Sequence, residues 1–297
     1  MAASITAGIT TRNRPDSLRA CVEALSNPAV PLSEILIFDD ASDPPVTSVA
    51  SARAPVRVFR ASVPCGPTEG RNRIVEEAHT PYVLLLDDDA RLLRGDAVER
   101  ACAVLDADRL VAAVAFAQAE ADGQPWPASM QPSPAGHPVR VRAFIGFAHL
   151  VRRDVFRALG GYRTLLGFYG EEKELCLRVL DAGYSVVYLP DARVAHVLDR
   201  AGRDRRRYLR AVSRNDCLNT LLNEPWTRVA WMLPGRLALY FQMRRAWQVR
   251  DPGGFLWLLA EMWRARAAIR RERRAVSRAT IRRWRELGAH GEPYLAP

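Results

Sequence analysis

The chain has 297 residues, 48% hydrophobic and 26% charged, which suits one large α/β domain or a domain with an extension. Its net charge of +10 is unevenly placed: residues 200–297 hold 22 arginines against eight acidic residues, a net +14 that leaves −4 for residues 1–199. Five scattered cysteines (Cys21, Cys65, Cys102, Cys176 and Cys217) form no Cys-x-x-Cys pair, which argues against a disulfide framework or a zinc site and fits a reducing cytoplasm.

The first residues lack a basic n-region and meet Arg12 and Arg14 almost at once, so a strand is expected there and not a signal peptide. Ser4 to Thr10 alternates into that strand. Pro15 opens a helix to about Leu25, with Leu18, Val22 and Leu25 on one face. Glu34 to Phe38 is a second strand ending in Asp39 and Asp40, and Val56 to Phe59 is a third. Gly66 to Gly70 reads as a turn and Arg71 to Ala78 as a helix. Tyr82 to Leu86 is the most apolar run of this half and reads as a buried parallel strand. A helix over Ala97 to Leu105, a strand over Leu110 to Phe116 and a Pro-, Gly- and Ser-rich loop over 122–138 follow. Val139 to Val151 has strand character, and Arg153 to Leu159 is a short helix ended by Gly160 and Gly161. Glu171 to Ala182 is helical; Tyr184 to Leu189 and Arg193 to Val197 are strands. This alternation predicts an α/β fold with a single, mostly parallel sheet in the first half, mixed in the second.

Two acidic clusters end strands at one carboxyl edge, Asp39/Asp40 and Asp87/Asp88/Asp89. Open α/β sheets bind ligands there. Three adjacent carboxylates repel unless a cation holds them, and Mg²⁺ ordinarily takes one or two carboxylates plus substrate phosphates. A solvated acidic turn is the plainer reading of either cluster. Glu171, Glu172 and Glu174 open a helix, where the dipole favours acids; one of them could also serve as a general base. His196 ends a strand, a position compatible with ligation but more ordinarily just packed. Arg71 in a first helical turn runs against the dipole, so an anion is expected to hold it.

Taken in order, Thr11-Arg12-Asn13-Arg14-Pro15, Phe38-Asp39-Asp40-Ala41-Ser42, Gly70-Arg71-Asn72, Leu86-Asp87-Asp88-Asp89, Gly160-Gly161-Tyr162, Gly170-Glu171-Glu172-Lys173-Glu174-Leu175 and His196 resemble the family 2 glycosyltransferases over about residues 4–200. The resemblance implies the glycosyltransferase-A fold, a nucleotide-sugar donor, a divalent cation (Mn²⁺ or Mg²⁺) and transfer with inversion. It implies that Thr11 and Arg12 border the nucleotide and that Asp40 contacts the base with Arg71 beside it. Asp89 would ligate the metal, joined by His196, with Asp87 or Asp88 on the donor ribose or sugar. Glu172 falls on the catalytic base. The family usually shows Glu-Asp where this chain has Glu171-Glu172, so the two roles are exchangeable and Glu171 counts as a substrate-side residue. Phe144 to Arg152 falls where members line the donor-sugar and acceptor pocket.

The division expected is a catalytic domain over 1–203 and a basic, Trp-rich helical extension over 204–297. No apolar stretch reaches a membrane span; Val229 to Met243 is broken by Pro234 and Arg236. Phe255, Leu258, Leu259, Met262, Ile269, Val276 and Trp284 recur at roughly helical spacing among arginines. Such a segment suits an anionic membrane surface on the inner face of the membrane. Packing on the catalytic body, a homodimer interface and an acidic polymer are the alternatives. No nucleic-acid-binding module is present. The leading function is transfer of a sugar from a UDP- or dTDP-sugar to a saccharide, lipid-linked or natural-product hydroxyl. The rivals are a nucleotidyltransferase, which would need a glycine-rich phosphate loop after strand one, and a non-catalytic transferase-like scaffold.

Overall fold

In a computed structural model, which describes residues 4–26, 29–197 and 204–296, the apolar runs of the first half become the centre of one sheet. β1 (Ile5–Thr11), β2 (Leu32–Asp39), β3 (Val56–Arg60) and β4 (Tyr82–Asp87) run parallel. Every residue of β1 is buried, as expected of a strand covered on both faces. β5 (Ala90–Leu92), β6 (Val111–Ala119), β7 (Val139–Val141), β8 (Ala148–Arg152), β9 (Ser185–His196) and β10 (Glu292–Pro293) complete it. The order is β10-β7-β9-β6-β8-β4-β1-β2-β3, with β5 paired antiparallel to β9. β8 runs antiparallel to both β4 and β6, so β6 and its parallel neighbour β9 point the same way as β1, β2 and β4. All five of those strands therefore deliver their last residues to one edge.

Helices cover both faces. α1 (Pro15–Ala24) and α3 (Asp96–Ala107) pack Leu18, Val22, Val98 and Leu105 into one layer. α2 (Pro67–Glu77), α4 (Arg153–Ala158) and α5 (Glu171–Asp181) close the other with Ile74, Phe156, Leu175 and Val179. Gly8 and Gly70 let α2 lie close to the sheet. A Cβ on Gly8 would stand 2.2 Å from an Ile74 methyl, and one on Gly70 2.6 Å from the Phe38 ring.

Several local expectations change. The segment read as a turn over Gly66 to Gly70 is already helix, because Pro67 sits at the first helical position behind Gly66 at φ 87°. The two strands expected at 184–197 are one, passing Pro190; the register on β6 slips between Phe116 and Ala117 to absorb it. Val139 to Val151 splits into β7 and β8.

The C-terminal part forms α6 (Arg205–Asn223), α7 (Trp226–Ala246), α8 (Gly254–Arg264), α9 (Arg266–Glu272) and α10 (Arg278–Leu287). The expected boundary at residue 203 lies outside the described residues. The stripe read as one amphipathic helix is divided over α8, α9 and α10. Leu258 packs with Leu209, Cys217 and Tyr240, Ile269 packs with Leu218 and Leu222, and Trp284 leans on the core layer under α2, α4 and α5. α10 packs against α5, and β10 adds to the edge of β7, so the chain ends on the sheet where it began.

One buried carboxylate ties α6, α7 and α8 together. Asp251 accepts from Arg206 Nε at 2.7 Å, Arg210 Nη2 at 2.6 Å and Tyr240 Oη at 3.0 Å. Asp251→Ala is expected to lower stability by about 2 kcal/mol, less than a wholly dry ion pair because Arg206 is half-exposed. Urea unfolding checks this; an unchanged midpoint would show that the three helices do not depend on it.

Candidate active site

The carboxyl edge gathers the acidic strand ends. Register sets Thr11 beside Asp39 and Thr10 beside Asp87, so β1, β2 and β4 stop level. The two clusters then part in role. Asp39 is fully buried and accepts from the backbone of Ser42 (2.9 Å) and Val46 (3.1 Å), besides an ion pair with Arg60; its carboxyl is held below the ordinary range because these bonds outweigh its burial. It shapes the turn after β2. Asp40 accepts from Cys65 N at 2.6 Å and from Gly66 N at 3.1 and 3.2 Å, which fixes the start of α2 to this edge.

Arg71 is the buried centre of the site, 1% exposed. Its Nη2 donates to Asp87 Oδ1 (2.7 Å) and Gly146 O (3.1 Å), and its Nη1 to Glu171 Oε1 (3.1 Å). The Tyr162 ring lies under it at 5.6 Å, and the Tyr162 hydroxyl meets His149 Nε2 at 2.7 Å. Arg71 lies behind Asp87, and Glu171 is 0% exposed and pairs with Arg71. Burial, with neighbouring Glu172 second, pushes the Glu171 pKa well up against the pull of Arg71.

Glu172, one residue on, points elsewhere. It is half-buried, and its Oε1 accepts from Gly146 N at 3.0 Å. A Cβ on Gly146 would stand 2.4 Å from that Oε1 and 3.1 Å from both Arg71 Nη atoms. Only glycine lets Glu172 and Arg71 meet one backbone unit. The loop that launches α5 is fixed from outside the sheet domain. Asn215 Nδ2 donates to the carbonyls of Leu166, Phe168 and Tyr169, and Asn219 Nδ2 to Gly170 O. The Gly160-Gly161-Tyr162 turn is pinned likewise: Asn72 exchanges two 2.8 Å bonds with the Tyr162 backbone, and Gly161 at φ 64° leaves room for them.

Asp88 and Asp89 face a different cation. Asp88 Oδ2 accepts from Thr11 Oγ1 at 2.8 Å, and Arg14 Nη1 bridges Asp88 Oδ1 (3.1 Å) and Asp89 Oδ2 (3.2 Å). Arg14 is 45% exposed, so this cation is exchangeable in a way that Arg71 is not. Arg12 is exposed at the same rim. The other Asp89 oxygen, Oδ1, is buried without a hydrogen bond and faces His196 Nε2 at 3.5 Å. β5 creates this pair: Ala90 registers with His196, and Val197 N donates to Asp89 O. Burial first, then the charges of Asp87 and Asp88, push the Asp89 carboxyl up to about 6, against the pull of Arg14. Burial also raises Asp88, with Thr11 and Arg14 opposing.

His196 is held in a defined orientation. Its ring is stacked between Phe147 (4.6 Å) and Trp126 (5.4 Å), and its Nδ1 lies 2.7 Å from Gln118 Oε1. The Gln118 amide nitrogen donates to Met130 O, which turns Oε1 towards the imidazole. With Nδ1 turned to Gln118, Nε2 faces Asp89 Oδ1. Among the described residues no three His, Cys, Asp or Glu side chains enclose an ion. One carboxylate oxygen and one imidazole suit a borderline-hard divalent cation that completes its shell from a substrate's oxygens. Gln118, Arg14 and Gly146 were not assigned from sequence. A lone amide near the end of the otherwise apolar Val111–Ala119 strand was the available signal for the first. Two open clefts of about 330 and 420 Å³ lie at the opposite edge, around Arg152 and Asp154, away from this chemistry.

Comparison with known proteins agrees with the fold. The model for Glycosyl transferase family 2 matches residues 6–160. Two pre-mycofactocin glycosyltransferases of Mycobacterium tuberculosis strains are 27% identical over 204 residues, covering 65% of this chain. The chain spans 42% of the length of these curated relatives. A Pyrobaculum calidifontis mannosyltransferase, solved with GDP-Man and Mn²⁺, superposes with a TM-score of 0.56 at 14% identity, over 96% of this chain and 79% of that one. TarS 1–349 of S. aureus, solved with UDP-GlcNAc, gives 0.58 at 14% identity, over 86% and 79%. These likenesses establish the glycosyltransferase-A architecture.

Two measurements test whether Asp89 and His196 hold a cation. Gln118→Leu removes the partner of Nδ1 and is expected to weaken Mn²⁺ binding about 10- to 100-fold by calorimetry. Because a proton on Asp89 competes with the cation, Mn²⁺ affinity is expected to rise with pH up to about 6 and level off above it. Below that value it should fall roughly tenfold per pH unit. A pH-independent affinity would remove Asp89 from the ligand set.

Proposed function

Because the chain belongs to glycosyl transferase family 2, we propose that it moves a sugar from a nucleoside-diphosphate sugar, a UDP- or dTDP-sugar, to a hydroxyl of a saccharide, lipid-linked or natural-product acceptor. The observation that carries the reading is the pair Asp89 Oδ1 and His196 Nε2, set 3.5 Å apart on the edge that also presents Glu172. These two atoms would hold Mn²⁺ or Mg²⁺. Bound there, the cation would neutralise the donor's diphosphate and the charge it gains on leaving. Mn²⁺ accompanies GDP-Man in the mannosyltransferase structure, which supports the same group here.

The chain's own residues divide the remaining work. Thr11 and Arg12 border the nucleotide, and Asp40 with the Cys65–Gly66 backbone forms the wall on the base side. Asp87 keeps its open oxygen towards the donor while Arg71 fixes the other. Glu172, held through Oε1 by Gly146, presents Oε2 to the acceptor. It takes the proton of the attacking hydroxyl. The oxygen bonds to the anomeric carbon from the face opposite the diphosphate, which departs with the electrons of the broken bond, so the configuration inverts. In this reading residues 1–203 hold catalysis and 204–297 serve a membrane surface, with a homodimer interface as the competing use. The enzyme works in the cytoplasm at the inner face of the membrane; the scattered cysteines and the +14 C-terminal charge support that. Among the described residues no helix is long and apolar enough to cross a membrane.

A thermal-shift panel of UDP-, dTDP- and GDP-sugars with and without Mn²⁺ tests the reading. One donor at 100 times its Kd should stabilise the protein by about 2.7 kcal/mol in the presence of metal. Asp89→Ala should abolish that shift. Glu172→Gln should keep it while turnover drops about 10²- to 10⁴-fold. Silence towards every donor would favour the non-catalytic scaffold, and retained turnover in Glu172→Gln would move the base elsewhere.

A further inference from the structure

A surface helix ordinarily turns its polar side to water. Two neighbouring helices here do the reverse. The outward stripe of α7 runs from Trp231 through Pro234 and Ala238 to Phe241, all exposed. The outward stripe of α8 is Leu256, Leu259 and Trp263. Trp231 is 60% exposed, Leu256 70% and Trp263 68%, and Trp226 at the start of α7 is 62% exposed. The stripes adjoin at one end. The rings of Phe241 and Phe255 lie 4.9 Å apart, joining the end of α7 to the start of α8. Arg273, just past α9, lies 3.8 Å from the Trp226 ring. Large apolar side chains held in water over two helices mark a contact surface.

Cations fringe this surface. Arg228 lies over Trp231 at 5.2 Å, Arg244 over Phe241 at 5.8 Å and Arg266 over Trp263 at 4.4 Å. Arg244, Arg245, Arg266 and Arg270 are exposed and have no ion-pair partner among the described residues. The occupant must therefore accept apolar side chains and offer negative charge at their rim. A second copy offers the first and repels the second, because it brings another +14 segment against this one. An acidic polymer offers charge without an apolar interior. An anionic bilayer offers both at one depth, with tryptophan rings at the headgroups and guanidinium groups on the lipid phosphates.

We infer that the α7–α8 face is a docking surface for an anionic phospholipid membrane, a narrowing of the membrane-surface role proposed above for residues 204–297. The attachment is monotopic: side chains enter the headgroup region and the helices lie along it. Its strength comes jointly from the apolar stripe and the arginine fringe, so it weakens in salt.

Flotation of the full chain with phosphatidylcholine vesicles, with and without 30% phosphatidylglycerol, tests this. Anionic vesicles are expected to bind at least tenfold more protein than neutral ones. The double variant Trp231→Ser/Trp263→Ser is expected to lose at least tenfold of that binding while keeping its metal-dependent nucleotide-sugar shift, which shows it folded. Equal binding by the variant, or binding to heparin but not to vesicles, overturns the inference. So does a sedimenting dimer that the two substitutions split. A protein that binds vesicles but no nucleotide sugar would sink the transferase reading instead, so the two failures are separable.

Discussion

A guanidinium taken wholly out of water is tolerable only when charge faces it, and Arg71, whose Nε stays unpaired, finds two carboxylates and a carbonyl on three other segments. It stands on α2. It binds Asp87 at the end of β4, Glu171 at the start of α5 and the carbonyl of Gly146 ahead of β8. Each partner adjoins a group that faces the rim. Asp87 precedes Asp88 and Asp89, Glu171 precedes Glu172, and Gly146 offers its N–H to Glu172. The buried ion cluster thus converts separate chain segments into one rigid edge. Tyr162 beneath the guanidinium, itself bonded to His149, closes the cluster from below.

The second cation follows a different logic. Arg14 spans Asp88 and Asp89 from a half-exposed position, where solvent screens it and motion is easy. A permanent, buried partner for Asp89 would leave nothing for a substrate-borne cation to do. A loosely held one relieves repulsion among three carboxylates without filling the last lone pairs. Asp89 Oδ1 remains buried without a hydrogen bond beside His196, a cost the fold carries at the place where a ligand would remove it.

What could be read from sequence follows the strength of local signals. β4 was legible because an apolar run ending in three aspartates admits few structures. β5 was not, since three residues carry no periodicity and its strand exists only by pairing with β9. That short pairing nevertheless joins Asp89 to His196, so the sequence offered both residues without the element that unites them. Glu171 and Glu172 show the other limit. Neighbours on a helix point about 100° apart, and only the position of Arg71 decides which is buried. Composition cannot see it; the packing buries Glu171 and leaves Glu172 half-buried. Gly146 gave no signal at all, because its value lies in two side chains that come from elsewhere in the chain.

The basic C-terminal segment was legible as helical and amphipathic, but its pattern mixed two surfaces. Its inner residues hold the catalytic edge: Asn215 gathers three carbonyls of the 166–169 loop, Asn219 takes Gly170 O, and Arg163 reaches back to Asn223 and the Glu272 carbonyl. Those bonds fix the left-handed Gly170 from which α5, and therefore Glu172, departs. Its outer residues are the exposed tryptophans and leucines of α7 and α8. One element thus holds the loop before the proposed base on one side and meets water on the other. Whatever fastens the outer face also loads α6, and α6 is what holds the loop in front of Glu172. An extension that served only as an anchor would need no amide side chains aimed at that loop. One that served only catalysis would not leave Trp231 and Trp263 in solvent.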